Sequence, residues 1–200
     1  MSANLLVPAS RMDRTARLVS LVGSPPILGT LYFLWLAYED GPLAYDAVSI
    51  SWALMLCLPT LFLLAAVHRG SIASSEMTEL AERRRFLPVA LLFAAATLST
   101  AMVLQFPLPV QISVVGMALW VFLGAILSQF WKVSLHVSGT VGVFWLSVAF
   151  FGLPALWLVW LPPAVAWSRL RLHRHDAWQV AGGALLGTVC AFAAFYAFLR

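Results

Sequence analysis

Charge is scarce in this sequence. Of 200 residues only 10% are Asp, Glu, Lys or Arg, while 62% are hydrophobic. A soluble domain of this length carries about 25% charged residues. The shortage excludes an ordinary soluble domain, and the length leaves no room for one beside a membrane bundle. Cysteine is nearly absent. Cys57 and Cys190 both lie in apolar runs and establish neither a disulfide framework nor a ligand set. No set of carboxylates suited to a metal stands out either, so no metal and no other cofactor is expected. Strict alternation of apolar and polar residues is missing too, which excludes an outer-membrane barrel. Backbone groups in lipid must then be satisfied inside helices. The net charge of +4 is gathered in a few loops. It reads as topology and site chemistry, and no nucleic-acid partner is expected.

What is present is a series of uncharged runs: 18–38, 47–67, 86–105, 107–131, 133–168 and 177–199. A hydrocarbon core of about 30 Å needs about 20 helical residues per crossing. Five runs meet that length. The run 133–168 suits two shorter helices broken near Gly152-Leu153-Pro154. The fold expected is all-α, a polytopic transmembrane bundle of six or seven helices forming a single domain over residues 1–200. Arg11, Arg14 and Arg17 precede an apolar run that lacks a small-residue cleavage signal, so that run is expected to remain as the first membrane helix. The loops alternate in character. Basic residues gather near 11–17, 69–85, 132 and 169–174, and Glu39, Asp40 and Asp46 fall between. The positive-inside rule puts the basic side in the cytoplasm, and the expected location is a bacterial inner membrane.

Two places break the apolar silence. Between Phe86 and Ser168 the only ionisable side chains are Lys132 and His136, four apart in "WKVSLHVSG" with Ser134 between them. A helix puts positions four apart on one face. Taken alone, Lys132 reads as snorkelling to the headgroups and His136 as packing, but an ionisable group near a membrane helix is also a functional candidate. The second place is "WSRLRLHRHDAWQVAGG", residues 167–183, where Arg169, His175, Asp176 and Gln179 crowd a helix start. His175 and Gln179 are one turn apart, and a helix N-terminus favours an anion. Gly183 and Gly187 form a small-xxx-small pair that lets this helix press on a neighbour and hold the cluster rigid. The bland alternative for 167–183 is a positive-inside stop signal. For "EMTELAERRRFLP" the bland alternative is a solvated amphipathic turn at the membrane surface.

Arginine, lysine and two histidines without a carboxylate set suit a phosphoryl group. Guanidinium offers planar paired donors, ammonium a point charge, and imidazole a nucleophile or an acid and base near neutral pH. Here a resemblance enters. Ser168-Arg169, five residues, then His175 matches the spacing of SRxxxxxHxxxD, with Gln179 in place of its last Asp and Asp176 nearby. Val133-Ser134-Leu135-His136 keeps the Ser and His of PSGH. A rival register, Ser138-Gly139-Thr140, keeps Ser-Gly and loses the histidine. "RRRFLP" offers arginines before a proline, as in KxxxxxxRP, without the lysine seven residues ahead, a charge that Lys132 supplies from elsewhere.

Over about residues 76–190 the chain thus resembles a divergent member of the type 2 phosphatidic acid phosphatase superfamily, which holds membrane lipid phosphatases and polyprenyl diphosphate phosphatases. The resemblance implies a metal-independent hydrolase of a lipid phosphate or isoprenoid (di)phosphate, its partner a membrane lipid. It implies His175 as nucleophile through a phosphohistidine and His136 as the acid for the leaving oxygen. Arg169, Lys132, Ser134, Arg84 and Arg85 would hold the phosphoryl oxygens, with Arg83 sharing that role, while Asp176 and Gln179 orient His175. The alternative is a catalytically weak or inactive protein of the same fold, binding an anionic lipid or serving as a subunit of a membrane complex. A third, weaker alternative is a phosphotransferase to an alcohol.

Overall fold

A computed structural model of the chain describes residues 10–77 and 79–198. Every regular element among them is helical: α1 (Arg11–Val22), α2 (Pro25–Asp40), α3 (Tyr45–His68), α4 (Leu80–Val103), α5 (Leu108–Leu127), α6 (Leu135–Phe151), α7 (Leu161–Arg171) and α8 (Ala177–Phe198), with short 3₁₀ turns between some of them. By length and composition α3, α4, α5 and α8 can each cross a membrane, and the α1–α2 pair makes a fifth candidate. This is the all-α bundle expected from the apolar runs.

The first run is not one straight helix. α1 opens with a reciprocal cap in which the Asp13 N–H donates to Ser10 Oγ (3.1 Å) and the Ser10 N–H to Asp13 Oδ2 (3.2 Å). It stops at Val22, and α2 leaves at 51°. Pro25 and Pro26 cause the break. Proline suits the first turn of a new helix, where its missing N–H costs nothing, and disrupts the interior of an existing one. α3 stays continuous over 24 residues by taking a π turn at Ala53–Cys57, just before Pro59, which cannot donate to the preceding turn.

The run 133–168 divides where the sequence suggests. α6 ends at Gly152, whose φ of +65° is open to glycine and costly for other residues. A 3₁₀ stretch, Leu153–Trp160, then leads into α7 and back. α6 has only 17 residues, about 25 Å at 1.5 Å per residue, so its hairpin with α7 is short for the membrane.

The packing is that of a bundle in lipid. Along α8 the buried side is Gly183, Leu186, Gly187, Cys190, Ala191 and Ala194, while Leu185, Val189 and Phe192 face outward. With lipid as apolar as leucine, helices associate through close contact of small residues. Buried hydroxyls are quenched locally: Thr97 donates to the Phe93 carbonyl (2.7 Å), Ser113 to Pro109 (2.7 Å) and Thr140 to His136 (2.7 Å). At the end of the bundle holding the C-terminus of α2, Tyr32 and Ser113 share a buried hydrogen bond of 2.5 Å, and Trp35 stacks on Phe151 at 4.1 Å. The other end gathers the corner between α1 and α2, the loop before α4, the loop before α6 and the loop between α7 and α8.

Candidate functional site

Three turns of chain build this polar end. The first is the close contact of α6 and α8. A Cβ on Gly183 would stand 2.5 Å from the Ser134 carbonyl oxygen, and one on Gly187 would stand 2.2 Å from that of Ser138. Only glycine admits this approach. The Ser134 N–H also donates to the Gln179 carbonyl (3.0 Å), locking the start of α6 to the start of α8. The histidines of the two helix starts, His136 and His175, are thereby brought into electrostatic reach of each other.

The second is the loop 172–176. It turns through His173, at φ +51°, and folds back so that the Arg174 N–H donates to the Arg169 carbonyl (3.1 Å). His175 is left buried at 7% exposure. Its Nδ1 lies 2.8 Å from Gln179 Oε1. An amide oxygen only accepts, so Nδ1 carries the proton and Nε2 keeps the lone pair. The Asp176 carboxylate takes a different job. It accepts from the Gln179 N–H (2.9 Å) and caps α8. Of the two residues expected to orient His175, Gln179 holds the ring and Asp176 holds the helix.

The third is α4. Three consecutive arginines open it, and helical geometry sends them in three directions. Arg83 is the buried one, at 2% exposure. Its Nε donates to the Met77 carbonyl (3.0 Å) and its Nη1 to Val133 (2.6 Å). Arg84 is exposed and donates to the Gln129 carbonyl, and exposed Arg85 reaches the Ser71 carbonyl (3.4 Å). Arg84 and Arg85, expected at the phosphate, turn to loop carbonyls; Arg83 is the one that interacts with both histidines.

Arg169 is the centre of the cluster. It is 1% exposed, and its Nη1 donates to Ser20 Oγ on α1 (2.6 Å) and to Glu76 Oε2 (3.2 Å). Arg174 Nε reaches the same oxygen at 3.3 Å. Farther out, Arg171 pairs with Asp13 at 3.0 Å, joining α7 to α1. Among the described residues, Arg169 Nε and Ser134 Oγ are two of the six buried side-chain atoms without a hydrogen-bond partner. Ser138, the rival to Ser134 in sequence, is committed: it accepts from Trp120 Nε1 (2.7 Å) and donates to the Leu135 carbonyl (3.1 Å).

The site is electropositive and partly dry. Burial is the main cause that pushes the His175 pKa down to about 4. The hydrogen bond that Nδ1–H donates to Gln179 works against that shift, and the charges of Arg169, Arg83 and Lys132 add to it. His175 is therefore neutral at pH 7. Lys132 acts on it through space and is half-buried. Residues the sequence reading did not assign to the site are Glu76, Ser20 and Arg174. Among the described residues no group of three His, Cys, Asp or Glu side chains is gathered to hold a metal ion. Comparisons with family models, with curated proteins and with solved structures give no match to this chain.

Proposed function

We propose that the cluster is the phosphoryl-transfer site of a membrane-embedded, metal-independent phosphatase acting on a lipid phosphate or an isoprenoid (di)phosphate. One observation carries the reading. A neutral, buried His175, its Nδ1 held by Gln179, stands with His136 among Arg169, Arg83 and Lys132. In this reading His175 Nε2 attacks phosphorus. The P–N bond forms as the ester P–O bond breaks, and the leaving oxygen takes the proton of the bound monoester monoanion, relayed by His136. Water then attacks the phosphohistidine, releasing inorganic phosphate and restoring His175. Arg169, Arg83, Lys132 and the Ser134 hydroxyl hold the phosphoryl oxygens, which is most of what this reaction asks of a protein. The apolar tail stays in the bilayer while the head meets the cluster at headgroup depth. The basic end faces the cytoplasm of a bacterial inner membrane, since Glu39, Asp40 and Asp46 mark the opposite end.

The test is phosphate release from phosphatidic acid and from farnesyl diphosphate by detergent-purified protein, with His175→Ala beside it and a chelator present. Release by wild type, lost in the variant and indifferent to chelator, is the expected result. Equal release by both proteins, or none, removes the proposal.

The pH profile gives a second check. The neutral imidazole is the nucleophile, and kcat/KM reports the free enzyme's pKa. The acid limb is expected near pH 4 instead of near 6.5. Stability follows the same sign. Between those values the unfolded chain binds a proton that the folded chain refuses, so stability rises with pH across the window and is flat above it. Gln179→Asp places a negative charge on Nδ1–H and is expected to move the limb upward, with a faster chemical step. An unmoved limb would show that His175 is not the titrating nucleophile.

A second reading has its own support. Gln179 is neutral and cannot stabilise an imidazolium as a carboxylate does. A protein that binds anionic lipid without cleaving it, alone or as a subunit of a membrane complex, fits that substitution. It would bind phosphatidic acid through the same arginines and release no phosphate.

A further inference from the structure

Among the described residues Glu76 is the one carboxylate paired with buried Arg169, and its manner of binding is economical. A single oxygen, Oε2, serves both Arg169 Nη1 (3.2 Å) and Arg174 Nε (3.3 Å). Its other oxygen makes neither contact. A guanidinium is built for paired acceptors, yet Arg169 Nε remains buried and unpartnered behind this one-point contact, as does Ser134 Oγ. The loop that carries Glu76 is a strap laid against Arg169 and Arg174. It begins after Gly70, at φ +71°, and is fastened at three other points: Ala73 N–H to Glu82 Oε1 (2.7 Å), Arg85 to the Ser71 carbonyl (3.4 Å) and Arg83 to the Met77 carbonyl (3.0 Å). Met77, beside Glu76, sits at φ +45°, a costly conformation for a residue with a Cβ. Glu76 itself is about one-third exposed and has water on one side into which to withdraw.

We propose that Glu76 is an internal anion that occupies the guanidiniums of Arg169 and Arg174 until a phosphate displaces it, and so determines which headgroups the site admits. The inference rests on the phosphoryl-site reading above. A phosphate monoester brings more oxygens and more negative charge than one carboxylate oxygen, and it can engage Arg169 Nε and Ser134 Oγ, which Glu76 leaves unmet. A free carboxylate could meet Arg169 Nε with its second oxygen, but it brings only the single charge that Glu76 already supplies from a tethered position, where its effective concentration is far higher than that of a solute. Fatty acids and other carboxylate amphiphiles are thus turned away, although they share the charge sign and the tail of a lipid phosphate. Glu76 is a specificity-determining residue here, with no part in the bond-making step.

The experiment is calorimetric titration of the full-length protein in detergent with inorganic phosphate, and with acetate, for wild type, Glu76→Gln and Glu76→Asp. Removing the internal competitor is expected to tighten phosphate about tenfold in Glu76→Gln, the scale of a hydrogen bond to a charged group. Acetate, expected to give no measurable heat with wild type, should become detectable. Glu76→Asp keeps the charge, shortens the reach by one methylene and should fall between the two, so the ordering stands even if Glu76→Gln folds poorly. Phosphate bound equally or more weakly by both variants overturns the displacement and leaves the phosphatase reading standing. Phosphate bound by none of the three proteins overturns the anion site and the displacement together.

Discussion

Gly187→Ala is expected to lower activity about 100-fold while leaving the protein helical. The added Cβ would meet the Ser138 carbonyl oxygen at 2.2 Å and the Gly142 nitrogen at 3.0 Å, both backbone atoms with no rotamer to escape into. α6 and α8 must separate by on the order of 1 Å. Overpacking of this kind costs about 1–3 kcal/mol, and a displacement of about 1 Å between catalytic groups costs about 10²-fold in rate. α6 carries His136 and α8 carries Gln179, the support of His175, so the separation opens the site itself. Gly182→Ala is the control. The nearest atoms to its Cβ would belong to the ring of Trp131, 2.4 Å away at Cη2, and that side chain is partly exposed and can swing away. Circular dichroism, thermal unfolding and phosphate release on the two variants separate the cases. Equal losses would mean that the α6–α8 contact does not set the site geometry.

Arg169→Ala carries the second large effect. Losing one preorganised donor to a transition-state oxygen costs about 10²–10³-fold. Arg169 also secures Ser20 on α1 and Glu76 on the strap, so a lower unfolding temperature should accompany a fall in kcat/KM at the upper end of that range. Arg169→Lys keeps the charge but not the planar fork, and is expected to recover little. Arg84→Ala and Arg85→Ala should leave phosphate release close to wild type, because their guanidiniums turn to the Gln129 and Ser71 carbonyls. A loss in Arg84→Ala as deep as that in Arg169→Ala would contradict this assignment.

The sequence carried the bundle well, because charge in lipid is costly and uncharged runs therefore mark helices. It also carried the hairpin break at Gly152 and the close pair Gly183 and Gly187, since a glycine kink and small-xxx-small spacing are local signals. The bend at Pro25-Pro26 was legible in principle but was hidden by the unbroken hydropathy of 18–38. The choice among Arg83, Arg84 and Arg85 was legible too. The buried stripe of α4 runs through Ala101, Thr97, Ala94, Ala90 and Leu87, and the same helical register carried one step back lands on Arg83. Ser20 and Glu76 left no local trace. Ser20 meets Arg169 across 149 positions and Glu76 meets it across 93, so their roles belong to tertiary structure. Asp176 misled for a related reason: an aspartate beside a histidine at a helix start satisfies the helix first, because the exposed N–H groups of the first turn are nearer than the ring.

The central claim is that His175 takes the phosphoryl group. Its most direct test is rapid quench of the detergent-purified protein with substrate labelled at the phosphoryl group, followed by mapping of the labelled peptide. A base-stable, acid-labile phosphoryl group on His175, absent from His175→Ala, is the expected result. Phosphate release with no such intermediate, or with label on another residue, would contradict it.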